Sequence, residues 1–107
     1  MKKVLDLTVF EEATMELRIN AETTLFLKKP SQKMVIELLK FRNINENSEA
    51  ESIVKAIDDL CLLILNTNDA AILFTKQKMD ALLDTQRKLL ILNAYSEFIT
   101  EIQSDPN

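Results

Sequence analysis

From Leu5 to Leu27 apolar residues return every second position. Leu5, Leu7 and Val9 alternate with Asp6 and Thr8, Met15, Leu17 and Ile19 with Glu16 and Arg18, and Leu25 and Leu27 follow a polar stretch at Asn20–Thr24. A period of two places one face of a strand on a core and the other in water. The pattern predicts a short antiparallel meander or hairpin with a turn at Asn20-Ala21-Glu22. Pro30 breaks it, and Ser31 is placed to cap a helix over about Gln32–Arg42 with an apolar stripe of Met34, Val35, Leu38, Leu39 and Phe41. Asn43–Asn47 reads as a linker, because asparagine is the residue that replaces glycine at helix ends.

Beyond the linker, Ser48-Glu49-Ala50-Glu51 has the form of a capping box. Ile53, Val54, Ile57, Leu60, Cys61 and Ile64 recur at helical spacing up to a stop at Asn66-Thr67-Asn68-Asp69. Ala70–Phe74 reads as a short helix or a bend. From Lys76 to about Gln103 the period is helical again, with Met79, Leu82, Leu83, Leu90, Ala94, Tyr95, Phe98, Ile99 and Ile102 inward and a break near Asp84-Thr85. Asp105-Pro106-Asn107 cannot continue a helix. The expected class is α+β, predominantly α: a β-rich part over 1–29, then a bundle of about four helices over 31–103, in one domain spanning 1–107.

The most informative feature is a surplus of apolar surface. In Leu60–Leu65, and again in Leu89-Leu90-Ile91-Leu92, every side of the helix is apolar for more than one turn. A surface helix needs one apolar stripe, and a helix apolar all round must be covered on all sides. Two arrangements satisfy this. One segment is the middle of the bundle with the other beside it, or part of the surplus, with Leu62, Leu63, Leu89 and Ile91 as candidates, meets another chain.

Composition narrows the chemistry. At 107 residues and 47 % apolar content the chain can bury a core without crosslinks. Its single cysteine, Cys61, cannot form a disulfide within the chain, which fits a reducing compartment. There is no histidine, so the commonest general base and metal ligand is missing, and no glycine, so phosphate-cradling loops are excluded. No cofactor and no metal are expected. The net charge of −4 is zero over residues 1–30, −3 over 31–75 and −1 over 76–107; Lys28-Lys29 and Arg87-Lys88 are isolated pairs, so no nucleic-acid partner is expected. Asp6, Thr8, Glu11 and Glu12 interrupt any signal-like start, and the longest apolar run, Leu60–Leu65, is far short of the roughly 20 residues that span a bilayer. No membrane association is expected.

Asp58-Asp59, and Asp80 with Asp84, are the close acid pairs, and they read as solvated faces, since adjacent helical residues diverge and an exposed pair four apart only repels weakly. Cys61, in an apolar run with no histidine to activate it, reads as an inert core residue. Tyr95, at helical spacing to Phe98, Ile99 and Ile102, reads as core. No catalytic site emerges, and the expectation is a non-enzymatic binding protein.

Two stretches, "LDLTVFEEATMELRI" followed by "LFLKKPSQKMVIELLKF", and the ending "ILNAYSEFITEIQSDPN", resemble the small tail assembly chaperones of long-tailed bacteriophages that infect Gram-positive hosts. The likeness covers about the first 40 residues and the last 20. It implies a protein of the host cytoplasm, absent from the mature virion, that coats the helix-rich tape measure protein and helps recruit major tail protein. It also implies a longer product of ribosomal frameshifting in many members, and self-association is compatible with the surplus leucines. The resemblance transfers no catalytic residue. A structural subunit of the phage tail or head-tail connector, or a small helical adaptor, is the alternative.

Overall fold

The computed structural model describes residues 13–42 and 49–104. Strands β1 (Thr14–Arg18) and β2 (Thr24–Lys28) form an antiparallel hairpin, and helices α1 (Gln32–Arg42), α2 (Ala50–Leu65), α3 (Lys76–Leu82) and α4 (Thr85–Ser104) follow. The class is α+β, predominantly α, as the periodicity predicts. The alternating run Leu5–Val9, the linker Asn43–Asn47, Ser48 of the capping box and the closing Asp-Pro-Asn lie outside the described residues.

The hairpin pairs Met15 with Leu27 and Leu17 with Leu25. Leu25 and Leu27 are buried, Met15 and Leu17 half-buried, and the intervening Glu16, Arg18 and Phe26 face outward. Without glycine, the turn is closed by Asn20, whose Oδ1 accepts the backbone N–H groups of Glu22 at 2.9 Å and Thr23 at 2.8 Å. This side-chain mimicry of a backbone turn is what asparagine offers at such a position.

Each helix start is read correctly or nearly so. Ser31 caps α1, its Oγ accepting from Met34 N at 3.2 Å. Thr75 caps α3 and Asp84 caps α4, accepting from Lys78 N at 3.2 Å and Arg87 N at 2.8 Å. Glu49 occupies the N-cap of α2 and makes no side-chain cap hydrogen bond; the expected capping box turns on Ser48, outside the described residues. At the other end of α2, Thr67 Oγ1 donates to Ile64 O at 2.7 Å and Asn68 Nδ2 to Leu65 O at 2.8 Å, satisfying carbonyls that have no intrahelical donor. Ala70–Phe74 is neither strand nor helix. The expected break in the last helical run is present, with Leu83 extended and buried between α3 and α4.

α2 is the hub, packing against α1, α3 and α4. Ile57, Leu60, Cys61, Ile64 and Leu65 from α2 meet Leu25 and Leu27 from the hairpin and Ile91, Leu92, Tyr95 and Phe98 from α4. The chain after α2 also seals the free edge of β2: Lys28 N donates to Thr67 O at 3.1 Å, and Asp69 N to Phe26 O at 2.9 Å. Tyr95 is core, as its spacing suggests, and its hydroxyl donates to Lys28 O at 2.7 Å, tying α4 to β2. Burial pushes that phenol up to about 12, so it stays a donor at any physiological pH. Among the described residues no helix is long and apolar enough to cross a membrane.

Tyr95→Phe keeps the ring in the core, where it lies 5.8 Å from Phe98, and removes the hydroxyl with its bond to Lys28 and its interaction with Thr67. The expected loss is about 1 kcal/mol, read as a lower urea midpoint with an unchanged slope.

Candidate functional site

The four residues singled out for partner binding take different places. Leu62 and Leu63 are half-buried and pack against the core, Leu89 is exposed, and Ile91 is buried. Ile91 is therefore not available at the surface. α4 turns it inward beside Leu92 and Tyr95, one helical turn on, because that side meets α2. The surplus apolar surface exists but is displaced: Leu73 is 75 % exposed and Leu90 61 %, and α1 adds Val35, Ile36 and Leu39. The single stripe expected on α1 is thus split, with Met34 buried and Val35 and Leu39 turned to water.

Leu73 sits in a loop that is held firmly. The Asn66 side chain exchanges two hydrogen bonds with the backbone of Phe74, accepting from its N–H at 2.7 Å and donating to its carbonyl at 3.2 Å. Asn68 does the same for Ile72, at 2.9 Å and 2.8 Å. Each amide stands in for a strand partner, so the loop satisfies its backbone without a sheet. Phe74 anchors the loop in the core, with the Lys78 ammonium 4.9 Å over its ring. Ala71 takes φ 57°, a left-handed conformation that costs an L-residue with a Cβ about 1–2 kcal/mol. The outcome is a braced loop that presents Leu73 to solvent between the pinned backbones of Ile72 and Phe74.

The charged groups correct a second expectation. Asp58 is buried, not solvated, and so is Lys88. Lys88 Nζ lies 2.7 Å from Asp58 Oδ1 and 2.6 Å from Asp80 Oδ1, bringing α2, α3 and α4 onto one ammonium. Lys76 approaches the other Asp58 oxygen at 4.0 Å. Burial pulls the Lys88 ammonium down, but its hydrogen bonds to the two aspartates outweigh this, and its pKa ends above the ordinary 10.5. The same hydrogen bond holds the Asp80 carboxyl below its ordinary 3.8. The two acids share a lysine rather than facing each other. Asp84 is exposed and serves as a cap, and Asp59 is exposed.

A signal for the network is present in the sequence: Asp58 and Lys88 each fall three positions before a core residue, Cys61 and Ile91, and so on the inward side of their helices. Which charge meets which is a long-range fact. Cys61 is buried as expected, with burial pushing its thiol up to about 12, far from the thiolate that reactivity needs. Among the described residues no three metal-ligating side chains cluster.

No protein family, curated protein or solved structure matches this chain.

Lys88→Met leaves Asp58 buried opposite an apolar group and is expected to cost about 3 kcal/mol in urea unfolding; adding Asp58→Leu recovers most of the loss. The pH dependence has a defined sign. The depressed Asp80 contributes stability above pH 3.8 that is lost as pH falls, and the raised Lys88 contributes stability below pH 10.5 that is lost as pH rises. In urea midpoints measured across pH, the advantage of the native chain over Asp80→Asn is therefore expected to vanish at the acid end.

Proposed function

We propose that this chain is a tail assembly chaperone of a long-tailed phage: a non-enzymatic protein that binds the helix-rich tape measure, keeps it soluble and helps recruit major tail protein. The observation that carries the reading is the apolar surface led by Leu73 on its braced loop. Large exposed apolar side chains mark contact sites when they are grouped, and a side chain already held in place loses less freedom on binding. A chaperone of an amphipathic rod needs this kind of surface, and the likeness of residues 5–41 and 91–107 to that family supplies the client. In this reading the protein acts in the host cytoplasm and does not remain in the particle.

Co-expression with the tape measure gene tests the proposal. The native chain is expected to move the client into the soluble fraction, and Leu73→Asp, which alters only an exposed position, to bind it about tenfold more weakly. A client equally insoluble with and without the chain overturns the reading. So does mass spectrometry that finds the chain at stoichiometric level in purified virions, which assigns it to the structure of the tail.

A further inference from the structure

We infer that the outer face of α1 is a docking surface for an acidic amphipathic helix, an assignment that rests on the proposed chaperone reading and names the client chemistry. At 100° per residue Met34, Leu38 and Phe41 form one stripe of α1, and this stripe packs on the core. Val35, Leu39 and Ile36 form a second stripe on the solvent side, 39 %, 52 % and 47 % exposed. A helix apolar on two sides is built to be covered on two sides. Positions i, i+1 and i+4 lie on neighbouring ridges of the helix surface, where a second helix packs.

Charge selects the occupant. Lys28, Lys29, Lys33, Lys40 and Arg42 against one acid, Glu37, leave the segment 28–42 at +4 in a chain whose total is −4. Lys33 and Lys40 are exposed and share the flank next to Ile36. The contact of Lys40 with Glu37, 3.5 Å long on an exposed face, holds little energy. Glutamates flanking the apolar stripe of an incoming helix meet these lysines. A second copy related by a twofold axis brings the same basic segment against itself, with repulsion at the contact. An anionic lipid surface fits less well, because three apolar side chains on an 11-residue helix whose other face is taken by the core leave little to insert.

The test titrates the full chain with two labelled synthetic peptides that share one leucine stripe, flanked by glutamates in one and lysines in the other, with fluorescence anisotropy as the readout. Overall charge attracts the lysine peptide, so a preference for the glutamate peptide is local in origin. It is expected to bind about tenfold more tightly at low salt and to weaken as salt rises. Leu39→Asp is expected to remove that binding, and Lys33→Glu with Lys40→Glu to reverse the preference, both with unchanged circular dichroism and thermal midpoint. Binding unchanged in all variants overturns the assignment. So does α1-dependent adsorption to anionic vesicles without peptide preference, or self-association that Leu39→Asp abolishes. If these α1 variants still solubilise a co-expressed client as the native chain does, the α1 assignment falls and the chaperone reading stands. If client solubility ignores the chain while the peptides behave as expected, the chaperone reading falls and the surface keeps its specificity.

Discussion

A helix whose last turns are apolar on every side has to be walled in, and Leu60–Leu65 of α2 imposes that condition on the whole chain. α1, α3 and α4 close around it, and the segment after it folds back along β2, with Leu27 bridged to Asn68. Cys61, Ile64 and Leu65 disappear from solvent, and Leu62 and Leu63 are half-covered. The other elements take their places by this enclosure. Tyr95 fastens α4 to the hairpin, and Leu83, extended and buried, lets the chain turn from α3 into α4 without opening the core.

At the wall between α2 and α4 the enclosure meets a charge problem. Lys88 and Asp58 face each other out of water, and a buried ion pair contributes little to stability when compared with well-packed apolar residues. Its effect is on arrangement. Sliding α4 along α2 by one turn takes the ammonium away from the buried Asp58, so the pair opposes slippage between the two helices. Asp80 extends the constraint to α3 through the same nitrogen.

A chain without glycine has to make its turns with other residues. Asn20 closes the hairpin, Asn66 and Asn68 brace the loop after α2, and Ala71 alone among the described non-glycine residues takes a positive φ. These devices do more than change direction. By satisfying the loop backbone from side chains, they leave Leu73 held in water rather than tucked away, and the second stripe of α1 stays uncovered as well.

Periods of two and of 3.6, together with Pro30, Ser31 and the asparagine clusters, determined the order of elements, most helix ends and the class, because these depend on neighbours a few positions apart. The core roles of Cys61 and Tyr95 followed from the same spacing. Tertiary structure alone decided which apolar faces go inward. Val35 and Leu39 look as buriable as Met34, and the spacing puts Leu90 inward and Ile91 outward, the reverse of what the packing against α2 imposes. It also decided that Asp58 is paired rather than solvated, since its partner lies 30 residues away and contact at that separation is a property of the packed helices, not of local sequence.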